Sequence, residues 1–283
     1  MQIIKQAKTI TSLIAKARAQ GKRIGFVPTM GALHEGHLSL IRRSRAENDL
    51  TVLSIFVNPT QFGPGEDFRV YPRDKKRDVL LAKKENVDIM FYPSAEEMYP
   101  RRYLTYVEVR EVTRNLCGQF RSGHFTGVAT VVVKLLNIVR PHTLYLGQKD
   151  AQQCVVIKQM IRDLNFPIDV RIMPIIREKD GLALSSRNKY LNTQERQQAA
   201  ILYRALNRGR EMILKEGERQ SRRIKAELRR FIRKAPLGRI EYIECVDADT
   251  LEPLERLSGR ALIALAVKFG KAKLIDNMVI RIK

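Results

Sequence analysis

Val27-Pro28-Thr29-Met30-Gly31-Ala32-Leu33-His34-Glu35-Gly36-His37 decides how this chain folds. Residues 23–29 read as a short apolar strand and residues 37–48 as a helix, so the segment between them is a strand-to-helix turn carrying two glycines and two histidines. In an open α/β sheet, ligands bind outside the carboxyl ends of the strands. A helix that starts there offers free N–H groups and a partial positive charge to phosphate. Gly31 and Gly36 let the backbone come close to such a ligand. His34 and His37, three residues apart, share one face of a helical turn, where they can donate to phosphate oxygens and stabilise charge on a departing pyrophosphate. A lone histidine at a strand end is commonly structural, and paired histidines can bind zinc. Yet two of the four histidines in the chain (His34, His37, His124 and His142) fall in this one turn. No third ligand stands at metal spacing, so no metal site is expected.

Outward from this turn the chain alternates. Residues 10–20 read as a helix closed by Gly21, and residues 50–58 (LTVLSIFVN) are almost continuously apolar, as a strand covered on both faces should be. Helices are expected over 74–85, 126–139 and 151–164, and strands over 88–92, 143–146 and 168–174. Strands alternating with helices of this length imply βαβ units, right-handed crossovers and a Rossmann-like, doubly wound parallel sheet. After about residue 190 the texture changes. Two Arg-rich helices, 193–215 and 218–234, precede three β-like runs at 240–246, 261–269 and 274–282. The fold expected is α/β with a smaller α+β C-terminal domain, divided as 1–176 and 177–283, with no internal repeat and no low-complexity linker.

The chain has 283 residues, 44% hydrophobic and 29% charged, an ordinary globular balance. It holds no apolar stretch of about 18 residues, so no membrane span is expected. The start, MQIIKQAKTI, lacks the features of a signal peptide. Cys117, Cys154 and Cys245 are scattered without a C-x-x-C pair, which fits a reducing cytoplasm. The charge is unusual: 52 Lys and Arg against 30 acidic residues, a net of +22. Across 196–239, 14 Lys and Arg face four Glu. Such a surface is the footprint of nucleic-acid binding, but interleaved aromatics and an RNA-binding signature are missing. Solvated helix faces are the better reading, and nucleic acid is not the expected partner.

Further polar segments sit at strand ends. Asn58 and Gln61, in Ser54-Ile55-Phe56-Val57-Asn58-Pro59-Thr60-Gln61-Phe62, can orient hydroxyl and carboxylate groups without adding charge. Tyr71-Pro72-Arg73 follows, then Gly118-Gln119-Phe120-Arg121-Ser122-Gly123-His124-Phe125-Thr126-Gly127-Val128. In Leu146-Gly147-Gln148-Lys149-Asp150-Ala151-Gln152-Gln153, Lys149 can neutralise phosphate, Asp150 can accept from ribose hydroxyls, and Gln153 can face an acyl substrate. Leu184-Ser185-Ser186-Arg187 supplies two hydroxyls and a guanidinium for pyrophosphate oxygens.

H-x-G-H at the first turn resembles the nucleotidyltransferase superfamily. Together with F-V-N-P-T-Q-F, G-H-F-T-G-V, G-Q-K-D-A-Q-Q, Tyr242–Ala248 and Leu274-Ile275-Asp276-Asn277, it resembles the pantothenate synthetases over nearly the whole chain. That resemblance implies a Rossmann-fold domain with a C-terminal lid, usually in a homodimer. It implies ATP-dependent joining of pantoate to β-alanine through pantoyl-adenylate, releasing pyrophosphate and AMP, with Mg2+ accompanying ATP, in the synthesis of pantothenate and coenzyme A.

By motif, it implies that Met30, Gly31, Ala32, Leu33, His34, Glu35, Gly36 and His37 line the ATP site, with His37 the proton donor and His34 and Lys149 also catalytic. Gly147, Gln148, Lys149 and Asp150 hold ribose and phosphate. Ile176 contacts adenine through its backbone, and Leu184, Ser185, Ser186 and Arg187 grip pyrophosphate. Gln61, Asn58, Tyr71 and Gln153 surround pantoate, Gln61 also touching β-alanine. The chain departs from the family's pattern at Ser122, where Pro is usual, at Leu184 for Met and at Leu146 for Phe. Where the family carries an acidic cluster after Y-P-R, only Asp74 and Asp78 stand here among lysines and arginines.

Overall fold

The computed structural model describes residues 1–282, which form two compact units. The first comprises Met1–Thr113, Gly118–Gly147 and Val156–Met173; the second comprises Arg114–Cys117, Gln148–Val155 and Pro174–Lys283. The division is therefore discontinuous in sequence, unlike a single cut after residue 176. The stretch bearing Gln148, Lys149, Asp150 and Gln153 clusters with the second unit.

The first unit follows the chain as β1 (Gln2–Ile4), α1 (Ala7–Ala19), β2 (Ile24–Thr29), α2 (Glu35–Glu47), β3 (Leu50–Ile55), α3 (Lys75–Lys84), β4 (Ile89–Phe91), α4 (Ala95–Met98), α5 (His124–Val139), β5 (Thr143–Gly147), α6 (Ala151–Asp163, whose residues 151–155 belong to the second unit) and β6 (Asp169–Met173). Among the described residues the strands form one parallel sheet in the order β1-β4-β3-β2-β5-β6. From β2 the chain winds outward through β3 to β4, then crosses to β5 and β6 on the other side. The doubly wound expectation holds, and the loop after β2 leaves at the switch point where ligands bind in such sheets.

Strand β1 is absent from the sequence reading. Its three half-exposed residues carry no periodicity, and it exists because the β4 edge pairs with it, Gln2↔Ile89 to Ile4↔Phe91. Strand β3 stops at Ile55 rather than at Asn58. Pro59 has no N–H for a ladder, and the Asn58 side chain accepts from Thr60 N instead, capping a 3-10 turn, Pro59–Gln61.

The sheet core is apolar and closed. Val27, Leu33, Ile41, Leu53, Met90 and Tyr145 are fully buried together. Tyr145 keeps its hydroxyl satisfied by donating to Glu47 (2.7 Å) and accepting from Asn48 (2.8 Å), and burial pushes it up to about 12. His142 accepts from Ile24 N at 2.9 Å, a structural histidine that starts β2.

The second unit contains α7 (Thr193–Ala199), α8 (Ile201–Leu214), α9 (Ser221–Ile232) and an antiparallel meander of β7 (Gly238–Asp247), β8 (Arg260–Phe269) and β9 (Ala272–Arg281). The single helix expected over 193–215 is two, interrupted at Ala200. Leu202, Leu206 and Ile213 of α8 and Ile224, Leu228 and Ile232 of α9 join Ile263, Leu265 and Val267 of β8 in one core. The i, i+4, i+8 spacing on α9 gives it one apolar stripe, and Arg222, Arg223, Arg229 and Arg230 lie exposed outside that stripe. Arg230 and Arg208 both pair with Glu227, and Arg223 with Glu218. The positive excess of this region is a solvated helix surface, and such pairs add little stability each.

Truncating Leu53, which is wholly buried in β3, removes a side chain from a closed core. Leu53→Ala is expected to cost roughly 2–5 kcal/mol, read as a lower urea midpoint at unchanged slope.

Candidate active site

The turn after β2 is built by a carboxylate from α3. Gly31 has φ +81° and Ala32 has φ +50°, which turns successive amides inward. Asp78, 2% exposed, accepts from Ala32 N at 2.9 Å and from Leu33 N at 2.8 Å. Arg77 clamps the same turn by donating to Leu33 O at 3.0 Å. A Cβ on Gly31 would stand 2.9 Å from Asp78 Oδ2, so only glycine fits. Burial pushes the Asp78 carboxyl up from its ordinary value, and the two amides oppose that shift. The amides of Ala32 and Leu33 are thus consumed internally.

His34 and His37 form the start of α2. His34 is the N-cap: Gly36 N donates to His34 Nδ1 (3.2 Å) and His34 N donates to His37 Nδ1 (3.3 Å). This is a capping box made of two imidazoles in place of the usual hydroxyl and carboxyl. Their ring centroids lie 4.1 Å apart. Because each Nδ1 accepts from a backbone amide, the neutral rings carry their proton on Nε2. The expectation of free amides at this helix start is corrected for Gly36, whose amide is capped. Glu35 is drawn into a bidentate contact with Arg42 (2.5 and 3.0 Å), which holds its carboxyl below the usual range.

Asn58, Gln61 and Tyr71 are all buried in the first unit. Asn58 Nδ2 donates to Gln61 Oε1 and to Gly127 O, both at 3.1 Å, and Gln61 Nε2 reaches Met30 Sδ at 3.1 Å. The amide pair therefore meets the turn after β2 at Met30. Tyr71 packs edge-on against Phe62, with ring centroids 5.9 Å apart. Behind Gln61, His124 Nδ1 contacts Gln61 O (2.8 Å) and Arg121 approaches His124 Nε2 (2.9 Å). As Arg121 can only donate, His124 carries its proton on Nδ1 and gives it to Gln61 O. Arg121 also holds Glu66 through two 2.7 Å bonds; burial pushes Glu66 up, and Arg121 outweighs it, leaving the carboxyl below its ordinary value.

Tyr99, which donates to Asn58 Oδ1 at 2.9 Å, carries no sequence signal at all. Gly127 does carry one, a glycine inside an apolar helix. A Cβ there would lie 2.3 Å from Thr60 O and 2.7 Å from Gln61 N, so α5 touches the Gln61 turn through backbone.

The remaining expected residues, Gly147 excepted, lie in the second unit. Gln148–Asp150 is a 3-10 turn with Lys149 Nζ 3.7 Å from Asp150. Residues 176–184 make a small hairpin in which Leu184 N donates to Ile176 O (3.0 Å), so the Ile176 carbonyl is already engaged. Arg196 ties the hairpin down through Glu178 (2.7 Å) and Asp180 (2.6 Å), holding the Asp180 carboxyl below its usual range. Ser185 Oγ accepts from Arg187 N at 3.3 Å and caps the 3-10 turn Ser186–Tyr190. Lys149, Ala183, Ser185 and Asn188 line one small cleft. Gln153 lies half-buried on α6.

No group of three or more His, Cys, Asp or Glu able to hold a metal stands among the described residues. Asp78 is spent on the turn after β2, and Asp74 accepts from Arg77 N at 3.0 Å as the cap of α3. Neither fits a protein-held magnesium site.

A parallel sheet of this order, with paired imidazoles opening the helix at its switch point, places the chain in the nucleotide-binding Rossmann-like class. A family model described as pantoate-beta-alanine ligase matches residues 2–279. A pantothenate synthetase of Caldicellulosiruptor bescii is 54% identical over 283 residues, covering 100% of both chains. One of Moorella thermoacetica is 53% identical over 282 residues, covering 100% of this chain and 99% of its own. The crystal structure of pantothenate synthetase from Thermus thermophilus matches with a TM-score of 0.93 at 43% identity, over 98% of this chain and 99% of that one. A pantoate-beta-alanine ligase from Francisella tularensis, complexed with beta-gamma ATP and beta-alanine, matches with 0.81 at 36% identity, over 99% and 97%. The chain belongs to the pantoate–β-alanine ligase family.

Two substitutions test the geometry of the first unit. Asp78→Ala strands two turn amides and is expected to cost about 3 kcal/mol, with a lower thermal midpoint and a larger loss of activity than Asp74→Ala. Gly127→Ala drives a methyl into the Gln61 turn and is expected to cost ~3 kcal/mol, with a matching fall in the denaturant midpoint.

Proposed function

We propose that this chain joins pantoate to β-alanine using ATP. A carboxylate oxygen of pantoate attacks the α-phosphorus, the bond to the β-phosphate bridging oxygen breaks, and pyrophosphate leaves. The neutral amine of β-alanine then attacks the acyl carbon of pantoyl-adenylate, the bond to the phosphate oxygen breaks, AMP leaves, and the amine's extra proton passes to solvent. Neither step needs a covalent enzyme intermediate, because ATP supplies the leaving group. The protein's work is alignment and charge stabilisation.

One observation carries the site reading: two imidazoles are locked by their Nδ1 atoms onto the helix start, so both Nε2–H donors are oriented before any anion arrives. His34 and His37 then contact phosphate, with His37 as proton donor. Met30, Gly31, Ala32, Leu33, Glu35 and Gly36 shape the ATP contact. Asn58, Gln61, Tyr71 and Gln153 receive pantoate, and Gln61 also meets β-alanine. Gly147, Gln148, Lys149 and Asp150 take ribose and phosphate, Ile176 takes adenine, and Leu184, Ser185, Ser186 and Arg187 take pyrophosphate. In this reading the residues 1–176 serve as the ATP- and pantoate-binding part, and 177–283 as a lid that keeps water from the adenylate.

Magnesium enters on the triphosphate rather than in a cage of side chains, consistent with the engagement of Asp74 and Asp78. Two copies form the working enzyme, as the family resemblance implies. Cys117, Cys154 and Cys245 are buried and outside any disulfide, which supports a reducing cytoplasm.

The reading is tested by AMP formation from ATP and Mg2+ with pantoate and β-alanine supplied singly and together. AMP is expected in quantity only with both; none with both present would refute the ligase. His37→Ala and Lys149→Ala are each expected to slow pantoate-dependent pyrophosphate release by about 100-fold or more with unchanged circular dichroism. A wild-type rate in either folded variant removes that residue from the site.

A further inference from the structure

In strand β9 the apolar run Leu274–Ile280 is interrupted by Asp276-Asn277, and both of these polar residues are buried, at 2% and 4% exposure. A buried polar pair in a strand is costly unless every group is satisfied. Here each group is satisfied, and by a different loop.

Asn277 spends its whole amide on the turn after β5. Its Nδ2 donates to Gln148 O and to Lys149 O, each at 3.0 Å, and its Oδ1 accepts from Gln148 Nε2 at 3.0 Å. One side chain thus grips two consecutive carbonyls of the turn that carries Lys149. The grip is neutral and falls on the backbone, so it fixes the turn without competing for the ammonium of Lys149.

Asp276 performs the parallel task for the hairpin at 176–184. It holds Arg177 through two bonds, 2.6 and 2.9 Å, and accepts from Asn277 N at 2.8 Å. Arg177 in turn donates to Gly181 O (3.0 Å) and lies 4.1 Å over the ring of Tyr203. Asp276, Lys149, Ala183 and Ser185 line the same cleft. Two neighbouring residues on one strand therefore set the spacing between two loops that are 28 positions apart in sequence, counting from Lys149 to Arg177.

We propose that Asp276 and Asn277 are positioning residues that hold the Lys149 turn and the 177–187 loop in the arrangement that receives the ATP phosphates. The proposal rests on the reading of those two loops given under the function. Neither residue is asked to touch ATP; each acts through backbone or through Arg177. A buried ion pair such as Arg177–Asp276 is weak evidence for stability, because apolar replacements often do as well, whereas its bidentate geometry does fix orientation.

The test compares Asn277→Ala with the wild type in the full chain, measuring KM for ATP, KM for pantoate, kcat and the thermal midpoint. Losing the grip on two carbonyls is expected to raise KM for ATP about tenfold, with KM for pantoate within about twofold of wild type. A merely structural role would instead lower the active fraction, cutting apparent kcat and leaving both KM values unchanged; that result overturns the proposal. Should Asn277→Ala not fold, Asn277→Ser, which keeps one donor, decides the matter: a selective rise of about threefold in KM for ATP supports positioning, and an unchanged KM overturns it. Lys149→Ala separates the two readings. If it leaves both kcat and KM for ATP untouched, the assignment of the loop falls and the proposal with it. If it raises KM while the Asn277 variants do not, only the positioning role falls.

Discussion

The first unit depends on a carboxylate that must be buried. The chain has to reverse from β2 into α2 within five residues, and in doing so it turns the amides of Ala32 and Leu33 away from water. Unpaired, each would cost as much as a lost hydrogen bond. Asp78 answers both from α3, and Arg77 secures the same turn from the next position. The desolvation of Asp78 is the penalty, offset by two short charge-assisted bonds. With the turn held in this way, the helix that follows can begin on histidines. Their side chains serve as its cap.

The same economy recurs elsewhere. Asn58 joins Gln61, Gly127 and Tyr99 through one amide, and Arg121 joins Glu66 to the histidine that supports Gln61. In the second unit Asp276 and Asn277 link two loops through one strand. In each case one side chain ties together groups from separate parts of the chain. Rigid elements carrying mobile chemistry through a supporting layer of hydrogen bonds is how such sites reach useful accuracy.

The charge of +22 has a local explanation in form if not in origin. On α8 and α9 the arginines lie outside an apolar stripe that packs on β8, and Arg208 and Arg230 both meet Glu227 of α9. A basic surface draws polyanionic small molecules toward the protein, an effect on encounter rather than on fold.

The doubly wound sheet was legible in the chain because parallel strands are buried on both faces and therefore read as apolar runs, as in residues 50–55, while helices read as stripes. The motif at 30–37 and the polar segments at strand ends were legible for a related reason: chemistry at strand ends needs particular residue types there. Strand β1 was not, since three half-exposed residues exist as a strand only through pairing with β4. Nor were Asp78 as the partner of the turn, Tyr99 behind Asn58, or the split of residues 148–155 from the strand that precedes them, all of which depend on contacts between distant positions. The sequence by itself determined the buried strands and the striped helices, and which side chains could do phosphate and amide chemistry, because these follow from local pattern and composition. Only the tertiary structure decided which amides are free, which tautomer each histidine takes and which loops share a support, because hydrogen-bond partners are set by proximity in space.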